Sequence, residues 1–114
     1  AMSVIGDING HDVILVDDEV DTGGSMVQAI QVAKLNGARD IYVACVHPLL
    51  TKNAIERLAA EPIKEFITTN TIPIPKDRAA LFGGRLTILS IGPLLAEVIK
   101  RANEGTSVGA MFNE

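Results

Sequence analysis

Asp17, Asp18, Glu19 and Asp21 crowd four carboxylates into five positions, and Thr22-Gly23-Gly24-Ser25 follows with the make-up of a backbone loop that wraps an anion. Carboxylates accept hydrogen bonds from sugar hydroxyls and bind Mg²⁺ directly or through its waters. Gly23 and Gly24 permit a close backbone approach that a Cβ would block, and the hydroxyls of Thr22 and Ser25 add donors. An anion cradle edged with negative charge makes sense for a ligand with a phosphate at one end and vicinal hydroxyls at the other. A phosphorylated ribose has that form. The Gly-Gly pair alone serves a structural turn as readily, and the stretch matches neither GxxxxGK[ST] nor GxGxxG.

The neighbouring residues must place this loop. Asp12 to Val16 is a short apolar run ending in acids and reads as a buried strand. A helix over 24–36 follows, with Met26, Val27, Ile30 and Ala33 on its apolar side and Gly37 closing it. Ile41 to Val46 is the next buried strand, which makes the unit a parallel, right-handed βαβ. Thr51 is the expected N-cap of a helix from Lys52 to Ala60 whose inward face is Ala54, Ile55, Leu58 and Ala59, and Pro62 stops it. A strand at Glu65 to Thr69, an extended loop over 70–85 held by Pro73 and Pro75, and a last strand at Leu86 to Ile91 complete the sheet. Pro93 opens a final helix to Ala102, with Leu94, Leu95, Val98, Ile99 and Ala102 expected inward and Gly105 closing it. In an open parallel sheet, ligands bind at the carboxyl ends of strands, and the DTGGS loop falls there, at the start of a helix.

Composition narrows the classes. One hundred and fourteen residues suit one domain, and with no Trp and few aromatics the core must be aliphatic, as in buried parallel strands. The fold expected is α/β, a mostly parallel sheet with flanking helices. The net charge of −4 equals the charge of the 17–21 cluster, so the rest of the chain is balanced. No basic stripe for nucleic acid is visible, and no apolar run approaches a membrane span. A cytoplasmic location, with neither nucleic acid nor membrane as partner, is expected. Cys45, inside IYVACV, reads as a small buried hydrophobe. The opening Ala1-Met2 reads as a cleavage scar from an expression tag.

VILVDDEVDTGGS resembles the phosphoribosyl-binding signature shared by type I phosphoribosyltransferases and ribose-phosphate pyrophosphokinases. The later stretches VHPLL with NAIERL after it, TTNTIPIP, and LSIGPLLAEVIKRANEGTSVGAMF resemble the pyrophosphokinase family in order and spacing, so the likeness covers nearly the whole chain. It implies a phosphoribosyltransferase-like fold, with residues 1–114 as a truncated domain corresponding to the later part of the family's carboxyl-terminal domain. By this resemblance Asp17 and Asp18 face the ribose hydroxyls and associated Mg²⁺, Asp17 foremost, while Asp21, Thr22, Gly23, Gly24 and Ser25 hold the 5-phosphate. Ser25 stands where Thr is usual and keeps the hydroxyl.

The reaction the resemblance implies moves the β,γ-diphosphoryl group of ATP onto the 1-hydroxyl of ribose 5-phosphate, in a homo-oligomer. The family's metal-binding His and catalytic Lys have no counterpart among these residues, so no catalytic residue is assigned and the chain alone is expected to be inactive. His47 opens a loop after a strand and could touch ligand or serve structure; His11 reads as exposed. Lys76, Arg78 and Arg85 could approach an anion, but read first as solvated surface charge. Two other functions stay open, a type I phosphoribosyltransferase and a non-catalytic phosphoribosyl-binding regulatory module. A sheet of about four strands with three helices is also expected to leave one apolar face or edge uncovered, and so to self-associate.

Overall fold

The computed structural model describes residues 3–112; the scar assigned to Ala1-Met2 lies outside them. Four parallel strands run in the order β1-β2-β3-β4, with β1 at Val13–Val20, β2 at Ile41–Pro48, β3 at Glu65–Thr69 and β4 at Leu86–Leu89. Helix α1 spans Gly24–Leu35, α2 Ala54–Ala59, α3 Lys76–Ala79 and α4 Gly92–Glu104. The expected α/β class and the parallel βαβ unit are therefore present.

Each strand pairs with its sequence neighbour, Val13 with Ile41, Val43 with Phe66 and Phe66 with Leu86. Right-handed crossovers between adjacent parallel strands put successive connections on one face of the sheet. The core lies there. Ile41, Val43 and Cys45 of β2 and Phe66 of β3 meet Met26, Ile30 and Ala33 of α1 and Ala54, Ile55 and Leu58 of α2. The inward positions expected for α1 and α2 are thus the buried or half-buried ones, Val27 and Ala59 packing at the margin.

Four local expectations need correction. Strand β1 does not stop at Val16 but continues through the carboxylates to Val20, because β2 also runs on and pairs with it at Asp17–Cys45, Glu19–His47 and Val20–Pro48. The 70–85 segment is not a plain loop: α3 and a 3₁₀ turn at Ala80–Phe82 deliver Phe82 to the core. Its ring stacks on Phe66 with centroids 5.0 Å apart. Thr51 does not cap α2, whose N-cap is Asn53 without a side-chain hydrogen bond.

The fourth correction is the largest. Helix α4 begins with Pro in its first turn and ends at Gly105 with φ +72°, as expected, yet none of its residues is buried. Leu94, Leu95 and Ile99 are exposed, Ile99 by 69%, and so is Ala102, while Val98 is half-buried. Amphipathic spacing shows that a helix has an apolar face, not that the described residues cover it. The second sheet face is bare in the same way: Ile14 and Val16, which alternate with the core-packed Val13 and Leu15, are 63% and 75% exposed. An uncovered apolar face is what the strand and helix count implied.

Candidate functional site

At the carboxyl end of β1 the backbone leaves the sheet through Asp21-Thr22-Gly23 and enters α1 at Gly24. Gly23 makes the turn with φ +84°, a conformation that costs residues with a Cβ dearly, and it is the N-cap of α1 without any side-chain hydrogen bond. The first-turn amides of a helix have no intrahelical acceptor. In α1, Val27 finds one at Gly23 O, 2.9 Å away, and the turn before it opens onto a cavity.

That cavity holds about 250 Å³ and is lined by ten consecutive residues, Asp17 to Met26. Every position assigned from the sequence lies on it: Asp17, Asp18, Asp21, Thr22, Gly23, Gly24 and Ser25. One wall is therefore carboxylate and the other is uncapped helix amide with hydroxyls. The acidic stretch and the glycine-rich turn thus share a single cavity with room for a phosphate and a sugar ring.

The carboxylates are not equivalent. Asp17 Oδ1 accepts the Asp18 amide at 2.8 Å, and Asp18 Oδ1 accepts the Glu19 amide at the same distance. Hydrogen bonding with Asp17 first, then the Glu19 amide, holds the Asp18 carboxyl below its ordinary value, and the charge of His47 adds to this. Asp21 faces another way. Its carboxylate accepts a hydrogen bond from the Thr51 hydroxyl, and its carbonyl accepts the Thr51 amide at 3.0 Å. Asp21 thus latches the loop onto the segment after β2, where Leu50 and Lys52 both take left-handed backbone angles to reach it.

Among the described residues no group of three His, Cys, Asp or Glu side chains could enclose a metal ion. Mg²⁺ is commonly held by one or two carboxylates, its own waters and the phosphates of a substrate. Asp17 and Asp18, exposed and adjacent at the cavity wall, fit that mode and not a closed protein cage.

The other singled-out residues separate from the cavity. His47 Nδ1 and the Thr71 hydroxyl are 3.0 Å apart, in a small network in which Thr69 and Thr71 donate to Val46 O. Arg78 pairs with Glu56. Arg85 is not solvated surface charge: its guanidinium, part-buried, donates to the carbonyls of Ala59 (2.8 Å), Phe82 (2.9 Å), Ile63 (3.2 Å) and Glu61 (3.3 Å), tying off the end of α2. Cys45 is buried, its sulfur 3.5 Å from the Thr68 hydroxyl, and burial pushes its thiol pKa up, as suits an inert side chain. No helix among the described residues is long and apolar enough to cross a membrane.

Sequence reasoning missed Arg57. This half-buried α2 residue donates to Thr22 O at 3.2 Å from behind the loop. Its only signal in the sequence is its place three residues after Ala54 on one helical stripe.

Residues 1–113 match the family profile described as the phosphoribosyl synthetase-associated domain. The chain is 43% identical over 111 residues to the ribose-phosphate pyrophosphokinase of Caldanaerobacter subterraneus, covering 97% of this chain and 34% of that one. It is 40% identical over 112 residues to the enzyme of the same name from Bacillus subtilis, covering 98% of this chain and 34% of the relative. A crystal structure of phosphoribosylpyrophosphate synthetase from Mycobacterium smegmatis superposes with a TM-score of 0.83 at 41% identity, over 90% of this chain and 34% of that one. The chain thus spans about a third of the length of these relatives.

Proposed function

Because the chain belongs to the phosphoribosyl synthetase-associated domain family, we propose that it is the part of a ribose-phosphate pyrophosphokinase that holds ribose 5-phosphate. The observation that carries this reading is the cavity in which Asp17 and Asp18 stand opposite the uncapped start of α1. The 5-phosphate would lie against the amides and hydroxyls of Thr22 to Ser25, stabilised by the positive end of the α1 dipole. The ribose hydroxyls would donate to Asp17 and Asp18, and Mg²⁺ held by the same two carboxylates would neutralise charge on the phosphates. The parent enzyme would be a cytoplasmic transferase of nucleotide biosynthesis, working as a homo-oligomer.

In the reaction proposed for the whole enzyme, the 1-hydroxyl oxygen of ribose 5-phosphate attacks the β-phosphorus of ATP. A new P–O bond forms, the bond to the α-phosphate oxygen breaks, AMP leaves, and the hydroxyl proton is released. This chain contributes position. Holding the 5-phosphate and the hydroxyls at two ends fixes the sugar, so that its 1-hydroxyl meets the incoming diphosphoryl group without a search over orientations. Asp21 serves indirectly, by keeping the loop against Thr51.

Calorimetry with ribose 5-phosphate in Mg²⁺ tests the reading. Saturable binding is expected, with unphosphorylated ribose much weaker and Asp17→Asn weakened roughly tenfold, the value of a hydrogen bond to a charged group. Equal binding of ribose and ribose 5-phosphate would rule out the phosphate assignment.

A further inference from the structure

The segment after β2 grips the phosphate loop from behind at every residue from Val20 to Gly23. Leu50 N–H donates to Val20 O at 3.0 Å, Thr51 N–H to Asp21 O at 3.0 Å, and Arg57 Nη1 to Thr22 O at 3.2 Å. Ala54 backs Gly23 so closely that a Cβ added there would lie 3.6 Å from it. Arg57 shares the stripe of α2 with Ala54, and its guanidinium also reaches to 3.6 Å from the position a Gly24 Cβ would take. It is not among the residues that line the cavity, whereas Thr22, whose carbonyl it holds, is.

Its electrostatic situation is unusual for a half-buried arginine. The ion pairs among the described residues are Arg39 with Asp12, Arg78 with Glu56 and Arg101 with Glu97; Arg57 is in none of them. A partly desolvated guanidinium without a carboxylate partner is stabilised by any anion brought close to it, and here Thr22, whose carbonyl it holds, also lines the cavity. A carbonyl left free to rotate would instead point its oxygen at that anion.

We infer that Arg57 is a positioning residue for the phosphate end of the ligand, holding the Thr22 peptide so that its carbonyl stays away from the cavity while the amides of Gly23 to Ser25 face it. The inference rests on the ribose 5-phosphate reading and adds a residue and a mechanism to it. The guanidinium acts through the loop. It makes the cradle ready before the ligand arrives, and its charge, in direct ion contact with no carboxylate among the described residues, favours a phosphate over a neutral group at the same place.

Three proteins decide it: the unaltered chain, Arg57→Met and Arg57→Lys. Each is titrated calorimetrically with ribose 5-phosphate in Mg²⁺ and with inorganic phosphate, and amide hydrogen exchange is followed without ligand. Arg57→Met is expected to bind both probes at least tenfold more weakly, with faster exchange confined to Thr22 to Ser25. Arg57→Lys, which keeps the charge, is expected to recover a good part of the affinity. If the unaltered chain binds neither probe, the ribose 5-phosphate reading fails and this inference goes with it. If it binds and Arg57→Met binds within twofold of it, the inference alone is wrong. Weaker binding of Arg57→Met accompanied by fast exchange throughout the core, or without any recovery in Arg57→Lys, would make Arg57 a residue of the fold and also overturn it.

Discussion

Gly23 carries the largest conformational demand in the site. Its φ of +84° lies in the left-handed region, while the space around it is adequate, since an added Cβ would make only ordinary contact with Ala54. The cost of Gly23→Ala is therefore one of backbone strain, about 1–2 kcal/mol, and urea unfolding should show a loss in that range. Asp18 supplies a pH prediction. Hydrogen bonding with Asp17 and then with the Glu19 amide holds its carboxyl below the usual carboxylate range, so the stability it contributes is fully present above the ordinary aspartate value and is lost only as pH falls through the lower folded value. A carbon-detected titration should place its midpoint below that of an ordinary aspartate; a midpoint above it would mean that the Glu19 amide does not donate to the Asp18 carboxylate and that the Asp17–Asp18 arrangement is not formed. The lining of the cavity was legible at this scale because its residues are consecutive. Arg57 was not, because nothing in a sequence reports that a residue thirty-five positions after Thr22 folds against its carbonyl, and the same holds for the Thr51 hydroxyl, which looked like a helix cap and is a latch.

At the scale of elements, the strands and α1 could be read because apolar runs and glycine stops coincide with them. Strand β3 has the expected bounds of Glu65–Thr69. The failures share a physical cause: partners distant in sequence decide them. Strand β1 carries on through its acids because β2 is there to pair with it, and Phe82 enters the core because Phe66 offers a stacking partner. Phe82→Ala should therefore cost about 3–5 kcal/mol, far more than a substitution in a loop would. Helix α4 makes the opposite case. Since Leu95 and Ile99 are exposed, Leu95→Ser or Ile99→Ser should change the stability of this chain by no more than about 0.5 kcal/mol, and a loss of several kcal/mol would show that α4 packs on the core in solution.

The whole molecule is drawn out more than its length requires. Its radius of gyration is 16.7 Å, where a compact domain of this size has about 13 Å. The described residues cover one face of a parallel sheet, whereas such sheets are stable when both faces are covered. Ile14, Val16 and Val46 on the bare face, with Leu94, Leu95 and Ile99 of α4, leave apolar surface of the kind that seeks a partner. Sedimentation at rising concentration is expected to show self-association, and Ile14→Lys with Val16→Lys to weaken it; a monomer at all concentrations would show that this surface is closed in solution. Helix count and strand count made the bare face legible in advance, but not which residues lie on it. None of this bears on the cavity at the end of β1, which is built from ten consecutive residues and braced within the same chain. The most direct test of the ribose 5-phosphate site is a backbone amide titration of this chain with ribose 5-phosphate and Mg²⁺. The account predicts shifts concentrated at Asp17, Asp18 and Thr22 to Ser25, with weaker effects at Thr51 and Arg57 behind the loop. Shifts centred on any other part of the surface, or none at saturating ligand, would contradict it.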